Sequence, residues 1–362
     1  MRNKWITFLA FLVCLSGCTA EPKIIEDLQL VQAIGYDDAG KHRVKATVAS
    51  TITPKNQEQA MPKNVTFTAE SFTSQNVLHV LQSESPRPLA VGRVGVALFS
   101  EKLAKRGILQ FIDGLQRNAD IGRDIPLAVV KGEAKEMLEL QTPVNQIPAK
   151  YILDLIEQNQ KENIPNSDLH SFLYHLYGKG LDPFMPLLEL KDGLIKIKGI
   201  ALFSNGKYVD DINYEEAFIF KLLFENFKKG SFEARIGKNK YINIENISSK
   251  VNYHVINGNT NPKVTITVKL MGLINESEGI SLNVKKKESV EERTRKLING
   301  KAKKLLRRFQ HERIDPLGIA DQARSQTRNF NFAAWEKRYP TIPIDFKLDI
   351  NLVEAGIVEE KK

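Results

Sequence analysis

The side chains best suited to chemistry in this 362-residue chain are six histidines, two cysteines, and paired carboxylates such as Asp210-Asp211 and Glu215-Glu216. His170 and His175 are five residues apart, which does not bring both to one helical face as a spacing of four would, so they do not read as a metal pair. His42, His79, His254 and His311 are scattered, and all six histidines read as ordinary surface or core residues. There is no His-Glu-x-x-His, no Gly-x-Ser-x-Gly elbow and no P-loop. Gly92 and Gly95 stand beside a strand-like run without the third glycine of a dinucleotide fingerprint. The carboxylate pairs fall at a turn and at a helix start, where negative charge suits the positive end of the helix dipole. These residues predict no enzyme, no catalytic or metal-ligating side chains and no bound cofactor.

The cysteines carry a sharper signal. Cys14 and Cys18 both lie near the N-terminus, behind Arg2, Lys4 and an apolar run from Trp5 to Leu15. A positive end and an apolar core too short to span a bilayer make a secretory signal. Leu15-Ser16-Gly17-Cys18 then has the form of a bacterial lipobox: a branched apolar residue, two small residues that admit the bond to a peptidase, and a cysteine. The thiol is the nucleophile that takes up a diacylglyceryl group. Residues 1–17 are thus expected to be a lipoprotein signal peptide, and Cys18 the first residue, carrying S-diacylglycerol and an N-acyl chain. Each buried methylene contributes on the order of 0.8 kcal/mol, so several chains anchor stably where one does not. Cys14 departs with the signal, which leaves a fold without disulfides that must rest on its core.

Net charge is +9, or +7 once Arg2 and Lys4 are removed. Residues 285–313 hold twelve Lys or Arg against four Glu, so the remainder of the mature chain is close to neutral. A nucleic-acid binder would spread its basic residues differently. In this segment Val290, Leu297, Ile298, Leu305, Leu306 and Phe309 recur at helical spacing, with basic residues filling the other positions. The pattern predicts a helix packed by its apolar stripe, with a basic face open to an acidic partner or to anionic headgroups at Lys303, Lys304, Arg307 and Arg308. The turn that follows, Asp315-Pro316-Leu317-Gly318, is expected to be rigid and exposed, which adds Asp315 to the same surface.

Those positions need a scaffold. Strands are expected at 24–36 and 42–51 around a 37–40 turn, followed by a loop at 54–63 and an amphipathic helix at 71–83. A buried strand at 94–99 feeds a helix capped by Ser100 that runs on through Leu115; a strand at 125–130 and helices at 150–160 and 169–177 follow. Pro183, Pro186 and the charged stretch at 190–193 suggest a domain boundary. Beyond it, Asn205-Gly206 closes a hairpin, and Asn213 caps a helix that Gly230 is expected to stop. Strands at 232–236, 240–256 and 263–274, a helix at 289–313 and an alternating strand at 342–353 complete the pattern. Runs of strands with a few long helices predict an α+β fold: several domains of mixed or antiparallel sheets, each packed with helices and tethered by the N-terminal lipid. The expected division is 1–17 signal peptide, 18–192 N-terminal region of two α+β subdomains, and 193–358 C-terminal α+β domain.

Several blocks in this order resemble the Ger(x)C family, the lipoprotein C subunits of nutrient germinant receptors in endospore-forming bacteria. They are LSGC, IEDLQLVQAIGYD, RPLAVGRVGVALFSEKLAKRG with the run to PVNQIPAKYI, GIALFSNGKYVDDINYEEAF, and RIDPLGIADQARSQTRNFNFAAWEKRYPTIPIDFKLDINLVEAG, spanning essentially the whole mature chain. The sequence departs from the family at Thr19-Ala20-Glu21, where an aromatic and acidic pair is common, and at Arg93, where a histidine is frequent. The resemblance implies a non-enzymatic subunit needed for nutrient-triggered spore germination. It further implies a place on the outer face of the spore inner membrane beside integral membrane A and B subunits, with no nucleic acid involved. The alternative is a lipoprotein solute-binding protein that delivers nutrient to a membrane transporter; such proteins are usually doubly wound, which the strand runs disfavour.

Overall fold

The computed structural model describes residues 24–52, 62–238, 240–276 and 284–354. Cys18 and the expected signal peptide, most of the loop expected at 54–63, and the end of the expected C-terminal domain lie outside the described residues.

The described residues open with a single turn of 3-10 helix, Ile25–Asp27, and an antiparallel meander of β1 (Gln29–Asp38), β2 (Val44–Ile52) and β3 (Lys63–Ser71). Strand β1 therefore starts later than the apolar residues suggested, and β3 was not foreseen because Lys63, Asn64 and Glu70 mask its alternation. Helix α1 (Ser74–Glu84), capped by the Thr73 side chain, and the short β4 (Leu89–Ala90) lead to β5 (Val96–Ser100). Every residue of β5 is buried, as a strand covered on both faces requires. The helix expected through Leu115 is two helices, α2 (Glu101–Arg106) and α3 (Leu109–Arg117). Gly107 adopts φ +126° between them, and the next N–H, that of Ile108, turns to the carbonyl of Gly206.

Next come β6 (Leu127–Lys131), α4 (Ala134–Leu138), α5 (Pro148–Lys161), α6 (Leu169–Tyr177) and β7 (Phe184–Lys191). The segment with Pro183 and Pro186, expected to be a domain boundary, is thus largely strand. Residues Phe184–Leu188 are buried and pair with both β6 and β8 (Leu194–Ser204). The expected division at 192/193 coincides with the β7–β8 hairpin turn, where Asp192 and Gly193 both have positive φ. Strand β9 (Lys207–Asn213) completes a nine-stranded mixed sheet in the order β3-β2-β1-β5-β6-β7-β8-β9, with β4 beside β1. The neighbours β1, β5, β6 and β7 are parallel, because the connections between the later ones carry helices.

Helix α7 (Tyr214–Phe224) ends at Glu225, six residues before the strand-start at Ser231 and well short of Gly230. A second sheet, β10 (Ser231–Gly237), β11 (Lys240–Ile256), β12 (Lys263–Glu276) and β13 (Ile344–Glu354), is antiparallel except for the parallel β12–β13 pair. Between β12 and β13 lie α8 (Val284–Glu312) and two short helices, α9 (Ile319–Gln326) and α10 (Phe332–Arg338), which were not expected. The fold is of the α+β class, two sheets each packed with helices. One apolar core fills the face of the large sheet under α1, α2, α3 and α6. The other joins its opposite face, under α4, α5 and α7, to the inner side of the small sheet and α8.

Candidate docking surface

Helix α8 turns its apolar stripe inward. Thr294, Ile298, Ala302, Leu305, Leu306 and Phe309 are all buried, at spacings of three and four that place them on one side. That side packs on β13 and β10, and further along on α7. Phe309 meets Phe220 of α7 edge-on with ring centroids 6.0 Å apart. Basic residues flanking the stripe are held by the protein. Arg293 donates to the Ile236 carbonyl, and Lys301 stands 5.5 Å over the Phe232 ring and 4.0 Å from Glu215. Lys296 lies 3.4 Å from Glu292, which Arg295 also engages. Glu291 accepts the Leu352 N–H at 2.8 Å and fixes α8 to β13.

The residues expected to form the surface divide into three groups. Lys303, Lys304 and Arg307 are exposed and make no hydrogen bond or ion pair among the described residues. They follow Gly300, whose missing side chain leaves open space, so three cations crowd one bare stretch of helix. Arg308 is different. Its guanidinium pairs with the Asp210 carboxylate, donates to the Asp211 carbonyl at 2.6 Å and lies 3.9 Å from Glu216. It is a strut from α8 to the end of β9 and the start of α7, where Glu216 and Asn213 cap each other.

Asp315 does not join that surface, and the exposed turn is a misreading: Asp315, Pro316, Leu317 and Gly318 are all buried. The Asp315 carboxylate accepts the N–H groups of Ile319 at 2.9 Å and Ala320 at 2.7 Å, which starts α9. Burial raises this carboxyl to about 7, against the pull of those N–H groups and with help from Asp182. The reason for the burial is a reciprocal bridge to the loop before β7. The Asp315 N–H donates to Asp182 Oδ2 at 2.7 Å, and the Asp182 N–H donates to the Asp315 carbonyl at 3.1 Å. Gly180, with φ +73°, permits the approach, since a Cβ there would stand 2.5 Å from Cβ of Ala320.

For two further polar residues the sequence left burial undecided. Lys221 of α7, in an otherwise apolar run, is 2% exposed and donates through Nζ to three backbone carbonyls in the last turn of α5 and just beyond it. His175 packs between the rings of Phe184 and Phe224, and burial lowers its imidazole to about 4. A lysine inside an apolar helix was the available signal for the first; nothing in the sequence marked the second. Among the described residues no group of three or more His, Cys, Asp or Glu is placed to hold a metal ion. Among them, too, no helix is long and apolar enough to cross a membrane.

Comparison with known proteins gives concordant matches. Residues 21–190 match the family described as "Spore germination protein N-terminal domain", and residues 198–356 match "Spore germination B3/ GerAC like, C-terminal". The spore germination protein GerQC of Bacillus cereus is 29% identical over 363 aligned residues, covering 99% of this chain and 100% of that protein. The crystal structure of the GerBC protein superposes with a TM-score of 0.58 at 18% identity, covering 89% of this chain and 97% of that one, a likeness of fold.

Proposed function

Because the chain belongs to the Ger(x)C family of spore germination proteins, we propose that it is the lipoprotein C subunit of a nutrient germinant receptor. The observation that carries this reading is the match of both family regions, in order, along a chain that aligns end to end with a germination protein. In this role the protein has no catalysis of its own. Cys18 bears the lipid that holds it on the outer face of the spore inner membrane, where it works beside integral membrane A and B subunits. The N-terminal region, 18–192, and the C-terminal domain, 193–358, act as one body on that tether. Lys303, Lys304 and Arg307 present charge that nothing in the described protein neutralises, which suits an acidic face of a partner subunit.

The test is dipicolinate release from spores carrying Cys18→Ala, triggered by nutrients and separately by a cationic surfactant that bypasses receptors. Loss of the nutrient response with the surfactant response intact is the expected result. A full nutrient response in a strain whose sister receptors have been deleted overturns the assignment.

A further inference from the structure

A cavity of about 180 Å³ lies between β1, α1 and α3. Its walls are largely apolar: Ile34 of β1, Leu78 of α1, Leu115 of α3 and Ile121 beyond that helix, with Gly114 adding no side chain to fill it. A cavity of about 150 Å³ with walls of this kind takes up a molecule the size of benzene. Tyr36 gives the interior a polar point. Its ring is fixed by stacking on Phe99, centroids 5.6 Å apart, and by a tilted contact with Phe111 at 4.9 Å. The residue is 2% exposed and lines the cavity. Its hydroxyl has no hydrogen-bond partner among the described residues, and its oxygen is not sealed within the core.

A buried hydroxyl is costly to leave without a partner. Water serves it poorly here, because a well-held buried water makes about three hydrogen bonds and these walls offer few polar groups. The two other polar side chains of the lining, Asn118 and Arg117, are already engaged: the Asn118 Oδ1 accepts the Asp120 N–H at 3.0 Å, and Asp113 holds the Arg117 guanidinium at 2.8 Å. An apolar body with one acceptor satisfies the walls and the hydroxyl together. We propose that this cavity is a binding site for a small uncharged molecule of about the size of benzene, apolar except for one oxygen that accepts a hydrogen bond from the Tyr36 hydroxyl. An ionised ligand is disfavoured. Burial that pushes the Tyr36 phenol's pKa up penalises any other charge placed there, and the one cation in the lining is already paired. This inference does not rest on the receptor assignment and goes beyond it.

The test is fluorine NMR of the full chain, prepared without lipid or detergent, against three single-ring probes: 4-fluorophenol, its near-isostere 4-fluorotoluene, which lacks the oxygen, and the charged 4-fluorobenzoate. Saturable broadening of the 4-fluorophenol signal is expected, with 4-fluorotoluene binding roughly fivefold more weakly, as the loss of one neutral hydrogen bond dictates. 4-Fluorobenzoate should bind more weakly still. Tyr36→Phe removes the hydroxyl and keeps the ring, so it should bring 4-fluorophenol down to the affinity of 4-fluorotoluene while leaving the latter unchanged. Gly114→Leu places a side chain in the cavity from a helix position that favours leucine over glycine, and it should abolish binding of both. Either variant decides the matter if the other fails to fold. Absence of a saturable 4-fluorophenol signal, unchanged 4-fluorophenol affinity in folded Tyr36→Phe or Gly114→Leu protein, or tighter binding of 4-fluorobenzoate than of 4-fluorophenol overturns the proposal.

Discussion

Replacing Lys221 by methionine removes a charge that the fold surrounds on every side while keeping most of its stem volume. The ammonium donates to the carbonyls of Gln160 at 2.6 Å, Glu162 at 2.8 Å and Ile164 at 3.0 Å. It also lies 3.6 Å from Glu225 and 4.9 Å from the centroid of the Phe227 ring. These carbonyls belong to the last turn of α5 and the segment that leaves it, so the side chain ties that end of the helix to α7. Hydrogen bonds from a charged donor contribute about 1.5–3 kcal/mol each. Burying the ammonium opposes them, and the same burial pushes its pKa down and that of Glu225 up. Removing one member of such a buried set leaves a carboxylate and three carbonyls without their donor, a loss of about 3–5 kcal/mol. With a urea m-value of about 3 kcal/mol/M, Lys221→Met should lower the unfolding midpoint by roughly 1 to 1.7 M. A loss below about 1 kcal/mol would refute the reasoning, since it would mean that water replaces the ammonium at those carbonyls without penalty.

Two other outcomes separate the roles assigned above. Reversing Lys303, Lys304 and Arg307 together to Glu should leave stability within about 0.5 kcal/mol, as exposed unpaired residues do, while reducing nutrient-triggered dipicolinate release from spores. Arg308→Ala should instead destabilise by about 1–2 kcal/mol in urea unfolding, because Asp210, whose Oδ2 has no hydrogen-bond partner among the described residues, loses its guanidinium; equal stability losses in the two variants would dissolve the distinction. His175→Phe should flatten the acid limb of the stability–pH curve. The buried imidazole has its pKa lowered to about 4, below its ordinary value near 6.5. Between these values the unfolded chain binds the proton and the folded chain does not. The stability tied to the neutral ring is therefore present above about pH 6.5 and lost as pH falls through about 4, a change of about 3 kcal/mol at most. Urea melts at pH 7 and pH 4.5 measure it, and an unchanged acid limb would count against the burial.

How much of this was legible beforehand depended on whether the deciding contact was local. The proposed anchor at Cys18 rests on a run of neighbouring residues, Leu15-Ser16-Gly17-Cys18, so sequence alone can predict it. The amphipathic stripe of α8, the Asn205-Gly206 hairpin and the Asn213 cap are likewise local, since period, turn geometry and a side chain three residues from its backbone partner specify them. The alternation of Phe346, Leu348, Ile350 and Leu352 predicted β13 for the same reason.

Tertiary structure alone decided the rest. Gly107 divides a continuous apolar helix because the N–H beyond it finds Gly206 nearly a hundred positions later. Pro183 and Pro186 read as a break, yet β7 runs through the second of them with partners on both sides. Arg308 carries the same charge as Arg307, and only the placement of Asp210 opposite one of them turns it from surface into strut. Asp315 follows the turn chemistry its neighbours suggest, but Asp182, 133 residues earlier, draws the turn inside. Local free energies select elements, whereas a side chain's partner, burial and protonation follow from which distant elements pack against it, and one chain's periodicity does not encode that.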